Sequence, residues 1–159
     1  MIIIQIFRPY KDHTQTARYL DDIRLNKQIL EAWQISAICL SLLHIRNDKI
    51  TWVNHPIVQN IYNHGNSYCP DLFRYIMACD SEWRRRGKNR SDEFRDKLIS
   101  LRKDILLNRD KFCWLPMRPY FNNDIKDCDE VFEAYRNLLW SKWQKDKIVV
   151  KCSLGKIGG

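Results

Sequence analysis

The sequence has 159 residues, of which 45% are hydrophobic and 12% aromatic, including six tryptophans. This composition predicts one folded domain and excludes a disordered chain, while only five glycines and five prolines leave little room for the many turns of a β-sandwich or barrel. Twenty-seven Lys and Arg against nineteen Asp and Glu give a net charge of +8, which favours a polyanionic partner such as nucleic acid.

The beginning of the chain predicts a buried arm followed by a long helix. The β-branched run IIIQIF, residues 2–7, favours a short strand or an extended buried arm, and Pro9 indicates a turn after it. Apolar residues at helical spacing then predict a first helix over about residues 16–44, capped by Thr14 or Thr16.

Four further helices are predicted from apolar spacing and from the Pro and Gly residues at their ends. The first begins near Pro56, with Asn54 or His55 at its cap, and Gly65 ends it. The others cover about residues 71–86, 91–108 and 129–145, and the segment 112–123 between the last two is an extended loop. The fold class is therefore mainly α: one compact helical domain over residues 1–150, with a short N-terminal extended segment and a C-terminal tail over 151–159.

The segment LDDIRLNKQILE, residues 20–31, places charged side chains beside the most apolar part of the first helix. Arg24, Lys27, Gln28 and Glu31 share one helical face, which Asp21 extends by one turn. Two interpretations remain open. The face is either a solvated stripe held by ion pairs such as Lys27 with Glu31, or a polar cluster at the edge of a cleft, where burial would shift pKa values. In the second case Glu31 orients or deprotonates a reacting group, Arg24 and Lys27 hold phosphates, and Gln28 also contacts the nucleic acid.

The densest basic run is EWRRRGKNR, residues 82–90. Cations are favourable at a helix C-terminus, but that explains only one or two of them. The run therefore predicts contact with a nucleic-acid backbone through phosphates, without reading of base sequence. Its basic residues are Arg84, Arg85, Arg86, Lys88 and Arg90.

Two other polar groups are candidates for the same surface. Asn54 and His55 precede a proline in a loop, where they either cap the next helix or serve in proton transfer or phosphate contact. In EAYRNLLWSKW, Arg136 is a candidate for DNA contact, and Tyr135 and Trp143 either stack on an exposed base or pack inside. Leu138, Leu139 and Trp140 are predicted to be core.

The sequence predicts no cofactor, no metal and no membrane segment. Its six cysteines form no CxxC pair, which favours reduced thiols and an intracellular, cytoplasmic location (the host cell interior if the protein is viral). His55, His64 and Cys69 are conceivable zinc ligands, but no tight ligand pair joins them. No apolar run reaches the ~20 residues of a membrane span, and MIIIQIF lacks the basic start of a signal peptide.

Five segments, in this order along the chain, resemble phage, viral and bacterial members of the pyrimidine dimer DNA glycosylases, the endonuclease V type of repair enzyme. These segments are IQIF, DDIRLNKQILEAWQI, WVNHP, EWRRRGK and EAYRNLLWSKW. The resemblance covers roughly residues 3–145, and RLNKQILE, NHP and AYRN are its most specific parts. It implies a compact, all-helical, metal-free enzyme. Such enzymes cut the glycosidic bond with an amine nucleophile, form a Schiff base with the sugar, and break the strand by elimination.

The resemblance also implies which residues act. The family's amine is the chain's own N-terminus, whose pKa of about 7.7–8.0 leaves more neutral amine near pH 7 than a lysine pKa of about 10.4. Because Ile2 is bulky, the methionine stays, and the amine is that of Met1 or of Lys27. Leu25 stands near the position of the family's catalytic acid, so another carboxylate must serve: Glu31, Asp21 or Asp22.

These observations predict a DNA glycosylase with a further AP-lyase step, acting on a damaged or modified pyrimidine in double-stranded DNA and working as a monomer. The first alternative is a non-catalytic DNA-binding protein of phage or viral type. The second is a metal-dependent nuclease, for which the sequence offers no carboxylate cluster of convincing spacing.

Overall fold

The computed structural model describes residues 4–121 and 128–146 of the chain. Within these residues the fold consists of six α-helices and two short 3₁₀ turns, with no strand, which confirms the mainly α prediction. The helices are α1 (His13–Tyr19), α2 (Asp22–Leu42), α3 (Pro56–Tyr62), α4 (Cys69–Arg85), α5 (Asp92–Leu107) and α6 (Cys128–Lys145).

The single first helix predicted over 16–44 is wrong, because the structure divides it into α1 and α2. Leu20 and Asp21 have extended backbone angles, and the Asp21 side chain accepts a hydrogen bond from the backbone N–H of Arg24 as the cap of α2. Asp12, rather than Thr14 or Thr16, caps α1 by accepting from the N–H of Gln15. Periodicity alone did not reveal the break because buried residues continue on both sides of it.

The other predicted helices are confirmed to within two residues at most of their ends. His55 caps α3 with Pro56 in its first turn, and Ser91 caps α5. Helix α3 ends earlier than predicted, at Tyr62, and a 3₁₀ turn carries the chain to Gly65. The described part of the predicted loop, residues 112–121, is irregular as expected. The tail over 151–159 lies outside the described residues.

Helix α2 is the centre of the core. It packs most extensively against α4, with α3 and α5 on its other sides. Its second half is buried almost all the way round, from Ile35 to Ser41. Helix α4 buries one stripe against it, including Leu72, Tyr75, Ile76 and Cys79. Because α2 is enclosed, its polar first half emerges from the core in a fixed position.

Residues 4–8 are the buried N-terminal arm, and Gln28 of α2 holds it. Phe7 N–H donates to Gln28 Oε1 at 2.8 Å, and Gln28 Nε2 donates to the carbonyl of Gln5 at 2.7 Å. The Tyr75 hydroxyl contacts Gln28 Oε1 at 2.5 Å and the Phe7 carbonyl at 3.1 Å. One side-chain amide therefore takes the place of a neighbouring strand and satisfies buried backbone groups that the irregular arm would otherwise leave unpaired.

The predicted faces of α6 need correction at one point. Tyr135 and Trp143 are each only 2% exposed, so neither is available for stacking on a base, whereas Trp140 is 43% exposed instead of being core. Trp143 Nε1–H donates to Asp21 Oδ1 at 2.7 Å, which fixes α6 to the start of α2. Leu139 is fully buried, as predicted.

We expect Gln28→Ala to lower the free energy of unfolding by about 3 kcal/mol, because it leaves the Phe7 N–H and the Gln5 carbonyl without partners inside the protein. Urea unfolding followed by circular dichroism measures this change. Gln34→Ala is the matched control, since Gln34 is exposed on the same helix and its loss should cost less than about 0.5 kcal/mol. Equal effects of the two substitutions would contradict the role assigned to Gln28.

Candidate functional site

The polar first half of α2 borders a cavity of about 380 Å³ between the N-terminal arm and α6. The arm contributes Gln5 and Phe7, and α6 contributes Leu138 and Lys142. The remaining lining residues come from α2: Ile23, Arg24, Lys27 and Glu31. The predicted face of α2 is therefore at the edge of a cleft, and three of its members share one cavity.

Glu31 is the partly buried carboxylate of this cavity. Its side chain is 17% exposed, and Glu31 Oε2 lies 3.4 Å from the backbone nitrogen of Gln5, whose N–H it accepts. Burial raises the pKa of Glu31 above its ordinary value, although the hydrogen bond from Gln5 and the charge of Lys27 act in the opposite direction. A carboxyl that keeps its proton to higher pH is suited to proton transfer.

Two cations flank that carboxylate in different states of exposure. Lys27 is 64% exposed and lines the cavity, with Nζ 4.0 Å from Glu31 Oε1. Arg24 is 13% exposed and is held by Asp21 at 3.4 Å and Asp146 at 2.5 Å. Arg24 is thus a positive charge held on the cavity wall by two carboxylates, whereas the Lys27 side chain is largely in solvent.

The other carboxylates considered for the acid are occupied elsewhere. Asp21 caps α2 and accepts from Trp143, and Asp22 pairs with Arg86 at 2.8 Å. Neither lines the cavity. Glu31 is therefore the one of the three candidate acids that faces it. Met1 lies outside the described residues.

Gln28 also turns away from the cleft. It is fully buried, and its amide is committed to the arm and to Tyr75. A side chain in this position cannot contact DNA directly, so the nucleic-acid contact predicted for Gln28 does not fit its surroundings. It supports the cavity by holding Gln5 and Phe7 in its wall.

The basic run at the end of α4 divides into exposed and internal arginines. Arg84 and Arg85 are about half exposed, at 48% and 51%, and pair with the buried acids Asp80 and Glu82 of the same helix. Burial acts to raise the pKa of Glu82, but hydrogen bonds from Arg85 and Arg86 outweigh it, and the net shift is downward. Both exposed arginines therefore keep part of their guanidinium surface towards solvent.

Arg86 is an internal clamp. It is 12% exposed and binds Glu82, Asp22 and the carbonyl of Leu20, at 2.8, 2.8 and 2.6 Å. These contacts fix the end of α4 against the break between α1 and α2. Arg86 therefore has little guanidinium surface left for DNA, contrary to the contact predicted for it.

The remaining cations of the run lie over aromatic rings. Lys88 Nζ lies 5.1 Å from the ring centre of Trp83, and the Arg90 guanidinium lies 5.3 Å from the same ring. Arg90 also donates to the carbonyl of Asn26 at 3.1 Å. This contact places the basic run beside the exposed strip of α2 that carries Ile23, Lys27 and Leu30.

Asn54 and His55 lie near a second, smaller cavity of about 190 Å³, which His55 lines together with Ile4 and Gln5 of the arm. His55 Nδ1 accepts from the N–H of Ile57 at 3.2 Å as the cap of α3, so any proton on the neutral ring is on Nε2. Asn54 is exposed beside it. Gln5 lines both cavities and so connects the His55 site to Glu31.

Arg136 serves the fold. It donates to the carbonyl of Pro9 at 2.7 Å, and its guanidinium lies 5.2 Å from the ring centre of Tyr10. These contacts tie α6 to the residues that follow the N-terminal arm. The predicted DNA contact of Arg136 would have to compete with them.

Lys142 and Ile23 are among the five lining residues that sequence reasoning did not assign to this site. Lys142 comes from α6, more than a hundred residues away along the chain, and no local pattern connects it with Lys27. Ile23 is 64% exposed at the cavity wall, where a soluble helix would normally place a polar side chain. An exposed isoleucine within a charged stretch was the available signal.

A family model for pyrimidine dimer DNA glycosylases matches residues 4–96, which is more than half of the chain. The chain belongs to this family. The matched part contains the arm, Glu31, Lys27, His55 and the basic run, while the α6 wall of the cavity lies beyond it. No curated protein and no solved structure matches the chain.

Two further observations concern metal ligands and membrane-spanning helices in this member of the family. Among residues 4–121 and 128–146, no three His, Cys, Asp or Glu side chains are grouped as ligands for a metal ion. In that same part of the chain, every helix is too short or too polar to span a bilayer.

The raised pKa of Glu31 predicts a pH-dependent stability. The folded chain holds the Glu31 proton to higher pH than the unfolded chain, so the stability of the neutral form is lost as pH rises through the folded-state pKa. In the Glu31→Gln variant the side chain is neutral at every pH, so the variant does not lose this stability as pH rises. As pH rises from the ordinary glutamate pKa through the raised folded-state pKa, the variant should gain stability relative to the parent, by about 1.4 kcal/mol for each unit of pKa difference between the folded and unfolded chain.

Urea unfolding at several pH values measures this difference. Glu133→Gln, at an exposed glutamate of α6, is the matched control and should show no such gain. A stability difference between the Glu31 variant and the parent that stays constant with pH would contradict the assignment.

Proposed function

We propose that this protein is a DNA glycosylase that acts on a damaged or modified pyrimidine in double-stranded DNA and follows base release with an AP-lyase step. The observation that carries the proposal is the cavity in which a partly buried carboxylate, Glu31, lies 4.0 Å from an amine, Lys27. Membership of the pyrimidine dimer DNA glycosylase family supports DNA as the substrate.

The proposed chemistry begins with an uncharged amine. Its nitrogen attacks C1′ of the deoxyribose, the C1′–N glycosidic bond breaks, and the departing base takes the bonding electrons together with a proton. Glu31 is the group that we assign to this proton transfer, because burial lets it hold a proton that an exposed glutamate would have lost. The attached nitrogen then loses a proton and the C1′–O4′ bond breaks, with O4′ taking up a proton, so that an imine forms between the amine and C1′. The imine acidifies C2′–H, and loss of that proton breaks the C3′–O bond and expels the 3′ phosphate.

Two amines remain candidates for the attack. Lys27 lines the cavity, and its Nζ lies 4.0 Å from Glu31 Oε1. The α-amine of Met1 is favoured by its lower ordinary pKa.

The DNA backbone is assigned to the surface between the basic run and the cavity. Arg84, Arg85 and Lys88 would contact phosphates beside the exposed strip of α2, and Arg24, which is paired with Asp21 and Asp146, would add positive charge at the cavity wall. Ile23 is exposed and lines the cavity, and an apolar side chain there is suited to enter the stack where a nucleotide is extruded. His55 and Asn54 would contact the DNA on the other side of the arm, where His55 lines the smaller cavity.

Borohydride reduction tests the amine. With duplexes carrying a pyrimidine dimer or an abasic site, we expect a covalent protein–DNA adduct whose modified residue is identified by peptide mass spectrometry. If Lys27 is the nucleophile, Lys27→Ala should lower adduct formation by roughly a hundredfold or more, and if Met1 is, blocking the α-amine should do so. Lys103→Ala, at an exposed lysine of α5, is the control.

The same assay tests Glu31. Glu31→Gln should slow base release by roughly a hundredfold while duplex affinity changes by no more than about twofold, because the carboxyl acts in the reaction and makes no phosphate contact. Undiminished adduct formation after both amine changes would refute the amine assignment. Duplex binding without base release on any lesion would leave a DNA-binding protein without this chemistry.

The basic run has its own test. Arg84→Ala and Lys88→Ala should each weaken duplex binding about equally for all sequences and reduce the slope of log affinity against log salt by about 1 per lost phosphate contact. Fluorescence anisotropy at several salt concentrations measures both effects. Arg102→Ala, at an exposed arginine of α5, should leave the slope unchanged, and thermal melting confirms that each variant is folded.

A further inference from the structure

A different cavity, of about 570 Å³, opens where the N-terminal arm meets α1. Gln5 and Phe7 of the arm face the Glu31 cavity, whereas Arg8, the next residue, lines this one. Its other lining residues are Tyr10, Lys11, Asp12, His13, Gln15, Asp71 and Pro116. None of them lines the Glu31 cavity, so the proposed glycosylase reaction does not account for this site.

Arg8 is a buried cation with weak internal partners. It is 2% exposed, and its nitrogens lie 3.3 Å from the carbonyl of Met117 and 3.5 Å from that of Lys11. Its Nε is buried without a hydrogen-bond partner, and its guanidinium lies 5.6 Å from the ring centre of Phe132. Among the described residues no carboxylate forms an ion pair with it within 4.0 Å. A guanidinium in this state is costly to bury unless an anion reaches it.

Asp71 lines the same cavity, but its oxygens serve other donors. Oδ1 pairs with His13 Nε2 at 3.1 Å and with Arg74 at 3.5 Å, and Oδ2 accepts from the N–H of Met117 at 2.8 Å. Burial acts to raise the pKa of Asp71, yet the contacts with His13 and Met117 outweigh it and the pKa is lowered. Asp71 is therefore a fixed negative charge that orients His13 and only partly balances Arg8.

His13 adds a second unsatisfied group. Its Nε2 contacts Asp71, and its other ring nitrogen, Nδ1, is buried without a hydrogen-bond partner. Lys11 is exposed at the rim of the cavity and brings a mobile ammonium. One buried guanidinium, one oriented imidazole and one mobile ammonium therefore surround a space large enough for a small ligand.

We propose that this cavity binds a phosphate monoester of nucleotide size, with Arg8, His13 and Lys11 around the phosphate. A guanidinium and an ammonium together favour a doubly charged phosphate over a single carboxylate. The volume exceeds that of an inorganic ion and leaves room for the attached sugar. Such a group has two sources, a free nucleotide or the 5′-phosphate at a strand end. The second source is the product that strand elimination would leave.

Isothermal titration calorimetry at fixed salt tests the proposal on the full chain. We expect thymidine 5′-monophosphate to bind and thymidine to fail to bind, and a 5′-phosphorylated oligonucleotide to bind at least about fivefold more tightly than its 5′-hydroxyl counterpart. Tighter binding of the oligonucleotide than of the mononucleotide assigns the strand end, and the reverse assigns the free nucleotide. Equal affinity for the phosphorylated and hydroxyl ligands would overturn the proposal.

Variants locate the bound phosphate. Lys11→Ala should weaken the monophosphate about fivefold, and the exposed Lys103→Ala should not, because its lysine is on α5. His13→Asn should weaken it further, and Arg8→Lys tests the buried cation while keeping its charge. Loss of folding in the Arg8 variant would leave Lys11 and His13 to decide, and equal effects of Lys11→Ala and Lys103→Ala would place the phosphate elsewhere.

Glu31→Gln separates this proposal from the glycosylase. The substitution should slow base release by roughly a hundredfold and leave monophosphate affinity unchanged, since Glu31 does not line the Arg8 cavity. Binding of the monophosphate by a protein that releases no base would refute the glycosylase alone. Base release without monophosphate binding would refute this site alone.

Discussion

The site depends on one side-chain amide. The N-terminal arm has no neighbouring strand among the described residues, and a buried arm without partners would lose the free energy of several backbone hydrogen bonds. Gln28 supplies both a donor and an acceptor from the centre of α2, and Tyr75 of α4 joins them. Because α2 and α4 form the most extensive helix contact of the fold, the position of the arm is set by the core itself.

The placement of the arm divides the surface into two sites. Gln5 and Phe7 become part of the Glu31 cavity, and Arg8 is carried into the cavity beside α1. The contact between the Gln5 N–H and Glu31 makes the carboxylate part of this arrangement. A shift of the arm by one residue would bring a different side chain to each cavity, so the buried amide determines the lining of two cavities that it does not itself line.

The excess positive charge is used less freely than composition suggests. Asp80 and Glu82 are almost completely buried in α4, and the arginines around them supply the charge that makes this burial tolerable. The guanidinium of Arg86 is fully engaged in contacts within the fold, while Arg84 and Arg85 pair with the buried acids and remain about half exposed to solvent. A phosphate approaching this surface therefore meets arginines already fixed in position, which lowers the conformational entropy lost on binding.

Much of the helical pattern could be read from the sequence, because α3 to α6 carry local signals: Pro56 in a first turn, Ser91 at a cap, and apolar stripes. The break at Asp21 could not be predicted from the sequence, because apolar residues continue on both sides of it. In addition, the capping Asp21 is fixed by Trp143, which is far away along the chain. Polar residues on one helical face were correctly grouped for Arg24, Lys27 and Glu31. Gln28 belongs to the same face by spacing, yet only the arm, distant in sequence, determines that it is buried.

The position of the carboxylate follows from the same geometry. Leu25, near the position where the family resemblance expects the acid, is fully buried in the core, so a carboxylate there would face apolar neighbours. Glu31 lies six residues later, about 120° round the helix from Leu25, and this rotation turns it towards the arm and α6. The cavity at which we propose Glu31 as the acid is lined by the arm and by Lys142 of α6.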